Sequence, residues 1–227
     1  MIIYGKQLFL HVLKNYPERL KTVYLAKKCD QQLFSSIANA TKTIVRVDNQ
    51  KAQSLARGGN HQGFIAEIEN LEYSEFTNIK NGKFLVILNE ITDVGNIGAI
   101  ARTAYAFGAD ALIISGIKTI NLEAIIRTSS AAVFELPIIL YPNALDMVNE
   151  LKQIGFTLYG ADMDGQNVSK TKFDEKVALV MGSEGAGINK KVKSKLDQII
   201  SIKMAKAFDS LNVSAATAVI CDRIANG

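Results

Sequence analysis

Three short segments of this 227-residue chain combine glycines with amide, hydroxyl and charged side chains, and each follows an apolar run. They are residues 89–102 with Asn96 and Arg102, residues 182–187 with Glu184, and residues 210–214 with Ser210 and Asn212. Glycine lets backbone groups approach a ligand, and the polar side chains can orient its hydroxyl or phosphate groups. Ligands of alternating strand and helix proteins bind at the carboxyl ends of the strands, so we expect these segments to form one site.

The first segment has two interpretations. Residues 95–98, Gly-Asn-Ile-Gly, open a predicted helix, and a phosphate of a dinucleotide can bind at such a helix N-terminus. The glycine spacing and the lack of a ribose-binding acid after the second strand nevertheless argue against a nicotinamide enzyme. Asn96 as a helix N-cap and Arg102 as one exposed helix charge are the plain alternatives, which this segment alone favours. Arg102 stands in an otherwise apolar stretch, however, where burial would require an anionic partner such as a phosphate.

The other two segments also have plain alternatives. Residues 182–187 are not followed by a lysine at the spacing of a P-loop, which excludes an NTPase of that type. In the plain alternative, Glu184 belongs to the first turn of the following helix. Ser210 and Asn212 fit the N-cap of the last helix. Two such groups exceed the need of one cap, so they are also suited to orienting a ribose or a carboxylate while Leu211 packs against a base.

The elements that must position these residues follow from the apolar pattern. We predict strands at 84–88, 111–115, 137–140, 157–160, 177–181 and 199–202, with helices at 97–107, 122–131, 144–154, 189–196 and 212–225. Continuous Val, Ile and Leu strands between helices indicate a mostly parallel sheet with helices on both faces. Residues 1–70 form a smaller predicted α/β domain, 71–82 a polar linker, and 83–227 the second domain.

Composition limits the class of protein. Hydrophobic residues make up 48% of the chain, but no apolar run approaches the ~18 residues of a membrane span. The N-terminus also lacks a cleavage signal. We therefore expect a cytoplasmic protein without a membrane partner. Cys29 and Cys221 have no CxxC or histidine neighbour, which indicates two idle thiols and no metal site.

The basic excess lies in the first third of the chain. Residues 1–72 hold ten Lys and Arg against six Asp and Glu, whereas the rest of the chain is balanced. This asymmetry fits a polyanionic partner or ordinary solubility charge about equally. His61 begins a predicted strand, where a structural histidine is favoured over a nucleic-acid contact.

In this order and spacing, the three segments resemble the motifs of the SpoU family of RNA ribose 2′-O-methyltransferases, in the SPOUT class. The matching residues are Asn96-Ile-Gly98 with Arg102-Thr-Ala104, then 181–188, then Ile202-Lys-Met204 with 210–214. The stretches at 3–5, 17–20 and 61–66 look like the small substrate-binding domain of the RlmB-type branch. The resemblance covers essentially the whole chain.

The resemblance implies an α/β fold with a C-terminal trefoil knot, a small N-terminal α/β domain of the L30e-like type, and a homodimer. It also implies S-adenosylmethionine as cofactor and no metal. By correspondence, the cofactor-binding residues are Gly182, Ile202 and Leu211, and the active-site residues are Asn96, Arg102, Glu184, Ser210 and Asn212. Lys203 replaces the proline usual in the third motif. The change removes a rigid φ that would hold the cofactor loop, and we treat it as a tolerated variant.

For this chemistry we predict that Arg102 clamps a phosphate rather than acting as a base, because a guanidinium stays protonated. The hydroxyl proton would leave to a substrate phosphate or to water, while Glu184 and Asn212 orient Arg102 and the ribose. A guanosine of 23S rRNA is the expected substrate. The alternatives are a tRNA ribose methyltransferase, a resistance-type rRNA methyltransferase and a non-catalytic RNA-binding module.

Overall fold

The computed structural model describes residues 1–206 and 211–227, and the chain divides into two compact units. The first comprises Met1–Glu72 with Leu122–Ala131, and the second comprises Tyr73–Asn121 with Ala132–Gly227. Each unit has its own sheet: four strands in the first and six in the second.

The first unit is a small α/β domain. In chain order it contains β1 (Ile2–Tyr4), α1 (Lys6–Asn15), β2 (Leu20–Leu25), α2 (Gln31–Ala40), β3 (Thr43–Arg46), α3 (Asn49–Leu55) and β4 (Phe64–Ile68). The strand order is β1-β4-β2-β3; β2 and β3 are parallel, and the other two pairings are antiparallel. Asp30 and Asp48 cap α2 and α3, each accepting a hydrogen bond at 2.7 Å from a backbone N–H three residues on.

The second unit carries the predicted parallel sheet. The elements that follow along the chain are β5 (Phe84–Asn89), α4 (Val94–Ala106), β6 (Ala111–Ser115), α5 (Leu122–Thr128, part of the first unit), β7 (Ile138–Tyr141), α6 (Ala144–Gln153), β8 (Thr157–Asn167), β9 (Val177–Gly182), α7 (Lys190–Lys193), β10 (Gln198–Ser201) and α8 (Val213–Asn226). All six strands are parallel, in the order β10-β8-β9-β5-β6-β7. The predicted α/β class and parallel sheet are therefore confirmed.

Both faces of this sheet are buried. Alternate strand residues such as Leu85, Ile87 and Val180 pack with Met147 and Leu151 of α6 in one apolar cluster. The strand residues between them are also almost fully buried, and α4 and α8 pack together in the same unit. Burial on both faces explains why these strands read as continuous apolar runs rather than as alternating ones.

Pairing of the strand ends brings the predicted loops together. The register pairs Asn89, the last residue of β5, with Gly182 of β9 on one side and with Ser115 of β6 on the other. The Oδ1 of Asn89 also accepts a hydrogen bond from the backbone N–H of Asn189 at 3.1 Å, which ties the segment after β9 to the end of β5. The first two motif loops thus leave the sheet side by side.

Several element boundaries differ from the predicted ones. The three-residue strand β1 was not predicted, and α7 is shorter than the expected helix 189–196. Strand β8 runs seven residues past the predicted end at residue 160, because its polar continuation pairs with β10 across a register shift between Ile199 and Ile200. No helix in the described part of the chain is long and apolar enough to cross a bilayer.

The two cysteines are unpaired thiols. Cys29 is half-buried, whereas Cys221 lies fully buried in α8. Burial raises the pKa of the Cys221 thiol to about 12, so this side chain stays protonated and packs as a small apolar group.

Candidate active site

Side chains from all three polar segments meet in one hydrogen-bonded cluster. Glu184 Oε1 accepts hydrogen bonds from Asn212 Nδ2 at 2.7 Å and from Asn96 Nδ2 at 3.3 Å. Asn212 Nδ2 also donates to Asn96 Oδ1 at 3.1 Å, and the backbone N–H of Val213 lies 3.4 Å from Glu184 Oε1. The three residues are 28 to 116 positions apart in sequence, so only the sheet topology brings them together.

Asn96 is held by α4 but does not cap it. The N-cap is Asp93, whose Oδ1 accepts from the backbone N–H of Asn96 at 2.7 Å, so the helix begins at Val94 rather than at residue 97. The interpretation of Asn96 as a mere helix cap is therefore wrong. Its side-chain amide is left free to bond Glu184 and Asn212 in the first turn of the helix.

Asn212 does two tasks with its two polar atoms. Its Oδ1 caps α8 by accepting from the backbone N–H of Ser214 at 3.0 Å and from the Ser214 hydroxyl at 2.6 Å. Its Nδ2 bonds Glu184 and Asn96. The plain interpretation of Asn212 as a helix cap is therefore confirmed, and because capping uses only the acceptor end of the amide, the donor end is available to the cluster.

Glu184 lies in a tight turn, not in the first turn of a helix. Ser183 and Gly187 exchange two backbone hydrogen bonds of 3.2 and 2.9 Å, and α7 begins only at Lys190. Because an ionised carboxylate only accepts hydrogen bonds, it fixes which way the neighbouring amide groups point. The cluster thereby presents two oriented amides beside one carboxylate.

A cavity of about 640 Å³ opens beside this cluster. Four segments line it: residues 161–163 in the middle of β8, residues 181–187, residues 200–202 with Met204, and the start of α8 with the two residues before it. Ile202 and Leu211, the two apolar residues predicted to bind the cofactor, both lie in the lining. A cavity of this volume is within the range of small-molecule and cofactor sites, roughly 300–1,000 Å³.

Gly182 forms part of the wall at a point where no side chain fits. A Cβ placed on it would lie 2.2 Å from the backbone carbon of Gly187 and 2.3 Å from the backbone nitrogen of Ile188. The turn therefore packs directly on the end of β9, and backbone groups, rather than a side chain, face the cavity at this position.

Lys203 does not line the cavity, although its neighbours Ile202 and Met204 do. Its side chain is exposed. The departure from proline at this position thus leaves the apolar wall in place.

Asp162 is a lining residue that the sequence analysis missed. Partial burial raises the pKa of its carboxyl, but the 2.7 Å ion pair with Lys193 outweighs burial and holds the pKa below its ordinary value. The cavity wall therefore carries an ionised carboxylate. The signal was present in the sequence, since Asp162 stands two residues after the predicted end of strand β8 at residue 160.

One predicted catalytic residue, Arg102, stands apart from the cluster. Arg102 is exposed on α4, and within residues 1–206 and 211–227 it makes no hydrogen bond or ion pair. The exposed position agrees with the plain interpretation of Arg102 as a helix charge, because Ala101 and Ala104 are buried on one side of the helix while Arg102 faces away. Ser210 lies outside the described residues. No cluster of three metal-ligating side chains occurs in the described part of the chain.

Comparison with known proteins matches both units. The SpoU rRNA Methylase family matches residues 83–222, and the RNA 2′-O ribose methyltransferase substrate-binding domain matches residues 2–74. The 23S rRNA (guanosine-2′-O-)-methyltransferase RlmB of Haemophilus ducreyi is 33% identical over 230 residues, spanning 96% of this chain and 94% of that protein.

Solved structures share the fold. The AdoMet-bound rRNA methyltransferase from Sinorhizobium meliloti has a TM-score of 0.79 at 24% identity, covering 98% of this chain and 85% of its own. The A. aeolicus TrmH/SpoU tRNA modifying enzyme has a TM-score of 0.53 at 28% identity and covers 62% of this chain and 72% of its own. With a family match over more than half of its length and a relative aligned over nearly all of it, the chain belongs to the SpoU rRNA Methylase family.

Proposed function

We propose that this protein transfers a methyl group from S-adenosylmethionine to the 2′-hydroxyl of a guanosine ribose in 23S rRNA. The observation that carries the proposal is the Asn96, Glu184 and Asn212 cluster at the rim of the 640 Å³ cavity. The family and the RlmB relative give the reaction class and the substrate. We propose that the reaction takes place at the cluster and the cavity.

The cavity fits the cofactor in size and in chemistry. Apolar Ile202 and Leu211 are suited to the faces of an adenine ring, while backbone groups around Gly182 offer hydrogen bonds to its edge. The ionised Asp162 is an acceptor for ribose hydroxyl groups. When bound, S-adenosylmethionine supplies an electrophilic methyl group, so the protein's own task is mainly to align and to exclude water.

The amide and carboxylate cluster would orient the substrate ribose. Asn96 and Asn212 are locked by Glu184, so their remaining donor and acceptor positions are fixed in direction before RNA binds. Such preorganisation lowers the cost of placing a hydroxyl in line with a methyl donor. Glu184 and Asn212 thus act on the ribose, and Ser210 is proposed as a further hydroxyl-orienting residue.

Arg102 would bind a phosphate of the RNA. It is exposed and has no partner in the described residues, which leaves its five donors available to an external anion. A guanidinium beside the reacting hydroxyl also stabilises the alkoxide as its proton leaves to a phosphate oxygen or to water. Because it stays protonated, it is not the base.

The extent of the match favours rRNA over tRNA. The RlmB relative aligns over 96% of this chain, including the N-terminal unit, whereas the tRNA modifying enzyme covers 62% of it. We propose accordingly that residues 1–70 contribute RNA contacts, with 71–82 as the linker. A cytoplasmic location, a homodimer and the C-terminal trefoil knot are also part of the proposal. The homodimer and the knot rest on the family resemblance, and the location rests on the sequence pattern.

Transfer of labelled methyl from S-adenosylmethionine tests this function. The protein is incubated with ribosomal RNA and, separately, with tRNA, each prepared without prior modification. We expect incorporation into 23S rRNA only. Incorporation into tRNA alone would keep the reaction and overturn the substrate, and none into either RNA would favour the non-catalytic binding module.

A further inference from the structure

A second cavity, of about 390 Å³, lies entirely within the first unit. Its walls come from the start of α3, the loop 58–63 and Lys27 after β2. The polar lining residues are Lys27, Asn49, Gln53, Asn60, His61 and Gln62, and the remaining lining residues are glycines. Among the described residues, this lining therefore has no carboxylate and no alanine, valine, leucine or isoleucine, a surface that matches an anionic ligand rich in hydrogen-bonding groups.

His61 supplies a donor to this cavity. Its ring is only 6% exposed, and its Nδ1 accepts a hydrogen bond from the backbone N–H of Gly63 at 3.0 Å. A backbone N–H can only donate, so Nδ1 carries no proton and the neutral ring carries its proton on Nε2. In the described residues Nε2 has no hydrogen-bond partner, and it is not among the buried unpaired atoms, so this donor is reachable from solvent and available to a ligand in the cavity that His61 lines.

The alkyl part of the Lys27 side chain packs against the loop that lines the cavity. A Cβ on Gly63 would lie 2.8 to 2.9 Å from the side-chain carbons of Lys27, so the alkyl chain lies against the glycine backbone while the residue as a whole stays exposed. This contact holds the first part of the side chain, and because Lys27 lines the cavity, its ammonium group is within reach of a ligand there. The ammonium group of Lys27 is suited to a phosphate, and the neutral Nε2 donor of His61 is suited to the nucleobase next to that phosphate.

The loop that forms the floor has an unfavourable backbone conformation. Arg57 and Gln62 are non-glycine residues with φ of 49° and 53°, each followed by a glycine that also has positive φ. Residues with this conformation are uncommon and concentrate at ligand sites, where the shape of the loop is needed. Here the two pairs of residues with positive φ flank residues 59–61, and His61 lies on the cavity wall between them.

We propose that this cavity binds one unpaired nucleotide of the substrate RNA, with the base edge on His61 and the neighbouring amides and a phosphate at Lys27. The inference rests on the proposed function, since it takes RNA as the ligand. Base edges in an RNA duplex are hard to reach, whereas an unpaired base can enter a recess and be read along its edge. The Asn49 and Gln53 side chains each offer both donors and acceptors for that edge.

The test measures the affinity of the full chain for an unmodified 23S rRNA transcript over a series of salt concentrations. Lys27→Met keeps the alkyl stem and removes the charge, while His61→Asn keeps an acceptor for the Gly63 N–H and removes the Nε2 donor. The matched controls are Lys14→Met and His11→Asn, at exposed positions of α1 outside the cavity.

The two variants should fail in different ways. Lys27→Met should lower the slope of log affinity against log salt by about 0.7, the value for one phosphate contact on single-stranded RNA. His61→Asn should weaken binding about tenfold without changing that slope, because a neutral donor releases no counterion. Both controls should bind as the unchanged protein does.

Each outcome decides the matter. If both variants match their controls while the unchanged protein methylates 23S rRNA, the cavity proposal falls and the proposed function stands. If the unchanged protein neither binds nor methylates any RNA, the proposed function fails and the inference falls with it. If His61→Asn melts at a much lower temperature, the salt slope of Lys27→Met decides alone, because Lys27 is exposed and its replacement does not disturb the core.

Discussion

Replacing Asn212 by aspartate removes one hydrogen and adds one charge at the centre of the cluster. Aspartate caps a helix as well as asparagine does, so Oδ1 continues to accept from the backbone N–H of Ser214 and α8 keeps its first turn. The other side-chain atom changes from a donor into a second carboxylate oxygen, 2.7 Å from Glu184 Oε1. The substitution therefore separates the capping task of Asn212 from its proposed task in the site.

The expected loss follows from these contacts. A hydrogen bond to a charged group contributes about 1.5–3 kcal/mol, and the lower end applies because both side chains are exposed. Repulsion between two carboxylates under water-like screening adds about 1 kcal/mol. The total of about 2.5 kcal/mol corresponds to a fall in kcat/KM of about 70-fold for Asn212→Asp.

Asn143→Asp is the matched control. Asn143 caps α6 in the same way, accepting from the backbone N–H groups of Leu145 and Asp146, and its Nδ2 also donates to a carboxylate, that of Asp146. It does not line the cavity. Steady-state methyl transfer and thermal melting are measured on both variants. We expect similar melting temperatures but a loss of activity only in Asn212→Asp, and normal kcat/KM in that variant would refute the role of the cluster.

Three further predictions test the other parts of the site and the core. Arg102→Ala should lower methyl transfer at least about 100-fold with an unchanged melting temperature, since Arg102 is exposed, whereas Arg223→Ala on α8 should transfer normally. Gly182→Ala should weaken S-adenosylmethionine binding more than about tenfold by calorimetry, because the new methyl group would overlap the backbone at Gly187; unchanged affinity would place the cofactor elsewhere. Burial, together with the hydrogen bond to Asp174, raises the pKa of Tyr159 to about 12, so stability should fall as pH rises from about 10 to 12, and less so in Tyr159→Phe.

The main strands of the sheet could be predicted because burial on both faces leaves a clear pattern. Residues 84–88, 111–114 and 177–181 are continuous apolar runs, and each lies inside the observed strand. The extension of β8 left no such pattern. Its residues 161–167 are mostly polar, and they form a strand only because β10 pairs with them: the Ser201 hydroxyl donates to the Gly165 carbonyl at 2.7 Å. Pairing across 36 residues is a tertiary effect that local sequence does not show.

The site could be predicted in its membership but not in its contacts. Residue type and strand-end position were enough to select Asn96, Glu184 and Asn212. The sequence could not show that Asp93 would take over the capping of α4 and so free the amide of Asn96, because two acceptable cap residues stand three positions apart. Nor could it show that Arg102 faces away from the buried side of α4. The nearby alanines, Ala101 and Ala104, are small enough to stand on the buried or the exposed side of a helix.

Mapping the methylated nucleotide tests the central claim most directly. After reaction with S-adenosylmethionine, unmodified 23S rRNA is digested and its fragments are sequenced by mass spectrometry. The account predicts a single 2′-O-methylguanosine, present with the unchanged protein and strongly reduced with Asn212→Asp. A methyl group on a base, or ribose methylation that is the same in both proteins, would contradict it.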